Sequence, residues 1–178
     1  MKVIGIAGKA GSGKNTVAGI LAGMLVEQGF PVALDAFAAG IKHLARKEHA
    51  WNGEKDLAGR QLLQEVGARG REIREDFWVQ MCDAREPSWT CNGPSYRIIC
   101  DVRYLNEVRY VREHGTLWIV TGRGGLTGDV GQHASEVDLD EIERNPTDTE
   151  FINNSSLERL VALVRQAVAD GRHDRALM

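Results

Sequence analysis

The chain has 178 residues and a formal net charge of -3 at pH 7. Hydrophobic residues make up 43% and charged residues 26% of it, a composition that excludes disordered, collagen-like and coiled-coil proteins and predicts one globular domain over residues 1–178. Because the charge gives no broad positive field, we expect no nucleic acid polymer as a partner.

The cysteines and the apolar segments indicate a protein of the cytoplasm. Cys82, Cys91 and Cys100 form an odd set without Cys-x-x-Cys spacing, so we expect reduced, structural thiols. No window approaches the roughly 20 apolar residues of a membrane helix, and the apolar N-terminus is too short for a signal peptide. We therefore expect a soluble, cytoplasmic protein with no membrane partner.

Short apolar runs alternate with helical spacing along the chain. The pattern predicts strands at 3–7, 31–34, 96–100, 116–121 and 150–152. It predicts helices at 14–28, 37–49, 57–84 (one or two, interrupted near Gly67 and Gly70), 106–114 and from Ser155 onward, with Ser155 or Ser156 as N-cap. Strands alternating with helices predict an α/β fold with a mainly parallel sheet and right-handed crossovers.

A glycine-rich loop follows the first predicted strand and opens the first predicted helix. Residues 8–14 fit Gly-x-x-x-x-Gly-Lys, in which backbone N–H groups and the helix N-terminus hold phosphates and Lys14 reaches the β and γ phosphates. Asn15 stands where Ser or Thr is expected, so either Thr16 or Asn15 itself is predicted to hold Mg²⁺. The sequence therefore predicts nucleotide binding.

Acidic and basic side chains follow the strand predicted at 96–100. Asp101 is placed either at the carboxyl edge of the sheet, facing the phosphate loop and its Mg²⁺, or as a helix N-cap. Arg103 shares this edge and has the fork geometry to hold a phosphate. Glu107, four residues later, pairs with Arg103 in one interpretation, and a surface ion pair is the alternative.

A polar stripe runs along the helix predicted from residue 57. Arg60, Gln64, Gly67 and Arg71 fall on one face of this helix. Leu62, Val66 and Ile73 fall on the other face. The stripe is typical of a solvated surface, and it also suits an anionic substrate. From the pattern alone, Trp78 near the end of this segment is a core residue.

A second glycine-rich segment follows the fourth predicted strand. Residues 122–131 contain five glycines and Arg123, and His133 and Glu136 come soon after. One interpretation is a mobile segment that closes over the site and excludes water. A simple surface loop is the alternative.

Taken together, these motifs resemble the bacteriophage deoxynucleoside monophosphate kinases, a P-loop group related to the nucleoside monophosphate kinases. The resemblance covers most of the chain. It rests on the order and spacing of Gly13-Lys14-Asn15-Thr16, residues 37–42 (Phe-Ala-Ala-Gly-Ile-Lys), Arg60-x-x-x-Gln64-x-x-Gly67 continuing to Phe77-Trp78-Val79, Asp101-Val102-Arg103 with Glu107, His133-x-Ser135-Glu136, and Phe151-Ile152-Asn153-Asn154-Ser155. The family usually has Asp where this chain has Asn15.

The resemblance implies a three-layer P-loop NTPase fold with a helical substrate-binding segment at about 37–84 and a mobile lid at about 122–148. It implies transfer of the γ-phosphoryl group of ATP, with Mg²⁺, to a deoxynucleoside monophosphate. The implied catalytic residues are Lys14, Arg71 and Arg103, and the ATP-binding residues are Gly11, Ser12, Gly13, Lys14, Asn15 and Thr16. The implied substrate-binding residues are Lys9, Lys42, Arg60, Gln64, Arg71, Trp78, Asp101, Arg103, Glu107, His133 and Glu136. The implied metal-binding residues, which hold the ion directly or through water, are Asn15, Thr16 and Asp101.

The partners implied are ATP and the monophosphate, with a homodimer left open, and a phage-encoded chain is expected in the host cytoplasm. A related branch that phosphorylates phosphomevalonate has similar motifs, so that substrate, dephospho-coenzyme A or a sugar acid stays an alternative acceptor. A nucleotide switch of the GTPase kind is less favoured, because no Asn-Lys-x-Asp motif is present. A DNA-binding module is the third alternative.

Overall fold

The computed structural model describes residues 1–85, 87, 93–122 and 142–174. In chain order, the strands in this part of the chain are β1 (Lys2–Ala7), β2 (Val32–Asp35), β3 (Tyr96–Val102), β4 (Gly115–Gly122) and β5 (Thr149–Asn153). The helices are α1 (Lys14–Glu27), α2 (Ala38–His49), α3 (Leu57–Ile73), α4 (Phe77–Asp83), α5 (Leu105–His114) and α6 (Leu157–Ala169). The predicted alternation of strands and helices is confirmed.

The described strands form one sheet in the order β2-β3-β1-β4-β5, and every pairing is parallel. The first strand of the chain therefore lies in the middle, with a neighbour on each side and a helix following its carboxyl end. Since all five carboxyl ends meet at one edge, the loops after β1, β3 and β5 lie near one another.

The sheet is the middle one of three layers. Ile4 and Ile6 of β1 face α1 and α6, whereas Val3 and Ala7 belong to a second cluster that packs against α4 and α5. This alternation follows from the two-residue period of a strand that is covered on both faces. The predicted α/β class, with a parallel sheet between helical layers, is confirmed.

Helices α2, α3 and α4 enclose a smaller apolar cluster of their own. Its buried residues are Ile41, Val66 and Trp78, one from each helix. The indole Nε1 of Trp78 donates a hydrogen bond of 2.9 Å to the carbonyl oxygen of Gly67. A Cβ on Gly70 would lie 2.5 to 2.7 Å from indole ring atoms, so glycine is required where α3 passes Trp78.

Some predicted boundaries were wrong. The segment predicted at 57–84 forms two helices, but the break lies at residues 74–76 and not near Gly67 or Gly70, which are buried inside α3. Ile73, predicted on the apolar face of this helix, is 75% exposed because it lies at the very end of α3. Asp101 lies inside β3, which ends at Val102. Ser156 is the N-cap of α6, and its side chain accepts from the N–H of Arg159.

Candidate functional site

The glycine-rich loop connects β1 to α1 at the carboxyl edge of the sheet. Gly8, Gly11 and Gly13 have φ angles of 150°, 76° and 102°, values that residues with a side chain rarely adopt. Gly13 is the N-cap of α1 and has no side-chain cap, so the first N–H groups of the helix stay directed into the loop. Such a run of backbone donors at a helix N-terminus is a ready site for a phosphate group.

Lys14 is buried within this loop, although it is charged. Its Nζ donates hydrogen bonds to the carbonyl oxygens of Gly8, at 2.5 Å, and Lys9, at 2.9 Å. The ammonium group is therefore held on the inner side of the loop backbone. Asn15 and Thr16, assigned to ATP and the metal ion, have exposed side chains beside it. The side chain of Lys9, which the resemblance assigned to the acceptor, is also exposed.

Asp101 connects β3 to the start of α2. One carboxylate oxygen accepts from the N–H of Phe37 at 2.8 Å, and the other accepts from the N–H of Ala38 at 3.0 Å. Asp101 therefore lies near the carboxyl end of β3 and is not itself a helix N-cap, although it accepts the first N–H groups of α2, whose N-cap is Phe37. Burial raises the pKa of Asp101, and these two hydrogen bonds and the nearby charges of Arg103 and Lys42 oppose that rise.

Glu107 lies in the first turn of α5 and is only 4% exposed. Its Oε2 accepts from the backbone N–H of Arg103 at 2.7 Å and of Tyr104 at 3.2 Å. The alternative of a surface ion pair is therefore wrong, because Glu107 is buried and its contact with Arg103 includes the main chain. Burial, aided by the charge of Asp101, raises the pKa of Glu107 to about 8.

Arg71 of α3 reaches the same edge as Glu107. Its guanidinium carbon lies 3.9 Å from the ring centroid of Tyr104, which is a close cation–π contact. The space for this arrangement comes from Gly67, because a Cβ there would lie 3.3 Å from Arg71 Nη1. The positive charge of Arg71 opposes the raised pKa of Glu107, which places the two side chains within electrostatic range.

The part of the chain that the structure describes thus brings together several of the residues assigned from the sequence. Lys42 and Arg103 act on Asp101, and Arg71 acts on Glu107. Cys100 connects this group to the phosphate loop: burial raises the pKa of its thiol, whereas the positive charges of Lys42 and Lys14 lower it. The edge of the sheet after β3 therefore carries cations within electrostatic range of the half-buried Asp101 and the buried Glu107, and Lys14 of the phosphate loop is within range of Cys100 at the same edge.

Other assigned residues lie elsewhere. Arg60 and Gln64 are exposed, and Arg60 Nε donates to the carbonyl oxygen of Lys55 in the connection between α2 and α3. This stretch of the polar stripe is a solvated helix face. Trp78 is 2% exposed and belongs to the core of the three helices, as the pattern alone predicted, so the substrate contact implied by the resemblance is wrong for its indole.

The segment assigned as a lid is described only at its ends. Arg123, His133 and Glu136 lie outside the described residues. The last part, 142–148, is bound to α5: Arg112 Nη2 donates to Asp148 at 2.6 Å and to the carbonyl oxygen of Glu143 at 2.7 Å. Ile142 is buried in the cluster beneath α5. The boundary proposed at residue 148 therefore includes residues that belong to the body of the fold.

Two residues that contact this site were not assigned to it from the sequence. Tyr104 supplies the ring against Arg71, and nothing in its spacing distinguished it from an ordinary surface tyrosine. Asn153, at the end of β5, donates from Nδ2 to the carbonyl oxygen of Ser12 at 2.8 Å. The signal for Asn153 was its place at the end of a predicted strand, where parallel strands direct their following residues to the shared edge.

Comparison with known proteins supports the fold. A shikimate kinase from Acinetobacter baumannii, solved with shikimate, matches 96% of this chain and 94% of its own, with 18% sequence identity and a TM-score of 0.55. An APS kinase from Mycobacterium tuberculosis matches 94% of this chain and 96% of its own, with 13% identity and a TM-score of 0.43. The match to the shikimate kinase shows that the chain shares the α/β fold of that protein.

A viral protein is similar in sequence. Uncharacterized protein ORF76 of Ictalurid herpesvirus 1 (strain Auburn) is 27% identical over 171 residues, which cover 94% of this chain and 67% of the viral one. No protein-family model matches the chain.

Among the described residues, no group of three or more His, Cys, Asp and Glu side chains is arranged to hold a metal ion. In the same residues, no helix is both long enough and apolar enough to cross a membrane.

Proposed function

We propose that the protein is an ATP-dependent kinase that transfers the γ-phosphoryl group of ATP to the 5'-phosphate of a deoxynucleoside monophosphate, for nucleotide supply to DNA synthesis. An oxygen of the acceptor phosphate forms a bond to the γ-phosphorus, the bond from that phosphorus to the β–γ bridging oxygen breaks, and ADP leaves. One observation carries the proposal: the buried Lys14 in its phosphate loop lies beside an edge with cations around Asp101 and Glu107.

The proposed binding of ATP, the phosphoryl donor, is supported by the glycine-rich loop after β1. The positive φ angles of Gly11 and Gly13 are those of a loop whose backbone N–H groups can face a phosphate, and the dipole of α1 adds partial positive charge at its N-terminus. Lys14 supplies a full positive charge from a position that the loop carbonyls already hold. Because phosphoryl transfer is accelerated mainly by positioning and by charge stabilisation, these groups are suited to hold the migrating phosphoryl group.

The proposed binding of the acceptor phosphate is supported by the positive charges near the end of β3. Lys42, Arg71 and Arg103 bring three positive charges to the edge after β3. Since the pKa of Glu107 is about 8, this side chain is mainly protonated at pH 7 and adds little negative charge. The remaining excess of positive charge suits a dianionic phosphate, and the fork of an arginine matches phosphate oxygens in two places at once.

The residues present also fit a magnesium ion. Mg²⁺ is commonly held by one or two protein oxygens together with phosphates and water. Thr16 and Asn15 offer exposed oxygen atoms in the first turn of α1, next to Lys14. Each oxygen of Asp101 accepts one hydrogen bond and keeps a further lone pair, so Asp101 is proposed to hold the ion directly or through water. When bound, the ion neutralises charge on the donor phosphates.

Further parts of the proposal follow from the resemblance. The whole chain, residues 1–178, is taken as one kinase domain with the acceptor between the helical segment 37–84 and the sheet edge. Lys9, Arg60 and Gln64 are proposed to contact the acceptor from the periphery, and His133 and Glu136 from a lid. The setting proposed is the cytoplasm, with a homodimer as the open alternative to a monomer.

The reaction and its substrate are tested together by coupled ADP release. Purified protein is given ATP and Mg²⁺ with each of the four deoxynucleoside monophosphates, the matching ribonucleotides, phosphomevalonate, dephospho-coenzyme A and shikimate. We expect turnover with at least one deoxynucleoside monophosphate. Turnover only with phosphomevalonate, dephospho-coenzyme A or shikimate would keep the kinase and overturn the acceptor, and no turnover with any compound would overturn the kinase.

Replacing the loop lysine tests the site itself. We expect Lys14→Ala to lower kcat by roughly a hundredfold or more, because the charge on the migrating phosphoryl group loses its partner. Lys47→Ala is the matched control, since the Lys47 side chain is 66% exposed on α2. Equal kcat values for Lys14→Ala and the control would contradict the assignment. Circular dichroism spectra of both variants should match that of the wild type.

A further inference from the structure

The last residue of β5 makes a buried contact with the phosphate loop across 141 positions of sequence. Asn153 is 9% exposed, and its Nδ2 donates to the carbonyl oxygen of Ser12 at 2.8 Å. The same nitrogen lies against the backbone of Gly13, where a Cβ would be only 2.5 Å away. The side chain of Asn153 therefore fills the space behind the Ser12–Gly13 peptide.

The position of Asn153 is fixed from its other side by β4. Gly122 is its partner in the parallel register, and a Cβ on Gly122 would lie 2.8 to 2.9 Å from the backbone atoms of Asn153. Gly122 also has a φ of 105°, which a residue with a side chain would rarely adopt. Two glycines thus allow one asparagine to pack between the end of β4 and the phosphate loop.

The hydrogen bond from Asn153 to Ser12 bears on the direction in which the Ser12–Gly13 peptide points. A trans peptide is planar, and its C=O and N–H point to opposite sides. When Asn153 holds the Ser12 carbonyl oxygen toward β5, the N–H of Gly13 in that same peptide must point away from β5, to the open side of the loop. The N–H of Gly13 is one of the donors that the loop offers to phosphate, since Gly13 is the N-cap of α1.

We propose that Asn153 is a positioning residue of the phosphate loop: it sets the orientation of the Ser12–Gly13 peptide and so directs the Gly13 N–H at the bound phosphates. The inference rests on the phosphate site of the proposed function. An aspartate at position 153 has nearly the same shape but no donor, so its carboxylate would face the Ser12 carbonyl oxygen. That repulsion rotates the peptide out of its binding orientation.

The test measures binding of inorganic tripolyphosphate, and separately of ADP, by titration calorimetry with Asn153→Asp. We expect the dissociation constants of both ligands to rise by about tenfold or more, by similar factors. Asn154→Asp is the matched control, because Asn154 is the exposed neighbour and the substitution adds the same charge. We expect it to change both constants less than threefold.

The outcomes separate this inference from the proposed function. Unchanged tripolyphosphate binding by Asn153→Asp, or an equal loss in both aspartate variants, overturns the role of Asn153. A loss for ADP alone also overturns it, because the effect would then lie at the nucleoside. If Asn153→Asp does not fold, Asn153→Ala, which adds no charge, replaces it in the same titrations. Wild-type protein that binds tripolyphosphate without kinase turnover refutes the proposed function and leaves this test intact.

Discussion

Replacing Glu107 with glutamine should change how the stability of the protein depends on pH. A pKa raised from 4.5 to about 8 means that the folded protein holds a proton on this side chain more tightly than the unfolded chain does. At about 1.4 kcal/mol per pH unit, this difference lowers the free energy of unfolding by about 5 kcal/mol as the pH rises from 4.5 to 8. The penalty is absent below the unfolded pKa and complete above the folded one.

Glutamine removes the titration and keeps the hydrogen bonds. Both N–H groups that contact Glu107, those of Arg103 and Tyr104, donate to a single oxygen, which the amide oxygen of Gln can replace. We therefore expect the stability of Glu107→Gln relative to the wild type to rise by several kcal/mol between pH 5 and pH 8. The gain should develop progressively across this window and stop growing above the folded pKa.

The assay is urea unfolding of both proteins at pH 5, 6, 7 and 8, with the free energy of unfolding extrapolated to water. Glu113→Gln is the control, since Glu113 is exposed on the same helix, and its curve should run parallel to that of the wild type. A difference between Glu107→Gln and wild type that stays constant from pH 5 to pH 8 would refute the argument, because it would mean that Glu107 ionises without cost in the folded protein.

Four further substitutions at three positions test local packing. Gly70→Ala should lower the free energy of unfolding by about 1–3 kcal/mol, because its Cβ would overlap the indole of Trp78, and an unchanged urea midpoint would contradict this packing. Gly23→Ala on α1, where no atom lies within 4 Å of the added Cβ, should instead raise it by about 0.5–1 kcal/mol in the same experiment. Tyr104→Leu should raise the acceptor KM by roughly threefold or more by removing the ring that contacts Arg71, whereas Tyr104→Phe should not; equal KM values for the two variants would exclude this contact.

The layers of the fold were predictable because their signals are local. One short stretch contains the apolar run of β1, the glycines after it and the helical spacing of α1. The strand and the helix each follow a known period of apolar residues. The break between α3 and α4 was not predictable in the same way. Gly70 was interpreted as a helix breaker, but it continues the helix and admits Trp78, a contact that depends on tertiary packing.

The candidate site was predictable in its location and less so in its contacts. The position of Asp101 near the carboxyl end of a strand indicated the correct edge of the sheet. Its partners, the N–H groups of Phe37 and Ala38, come from a segment more than sixty residues earlier, and no periodicity connects the two. Asn153 is the extreme case, since it meets Ser12 only because β5 and β1 run parallel in the same sheet.

The hydrogen bonds of the acidic side chains at this edge distinguish between classes of acceptor. A hydroxyl acceptor has to lose a proton during phosphoryl transfer, commonly to a carboxylate, whereas a phosphate acceptor is already ionised. Asp101 accepts two backbone N–H groups, Glu107 accepts two more, and Asp35 at the end of β2 accepts from Arg85 and from the N–H of Ala36. These contacts engage the three carboxyl groups with donors of the protein itself and not with a hydroxyl group of a substrate. Carboxylates held in this way, next to an excess of cations, favour an acceptor that is anionic before the reaction begins.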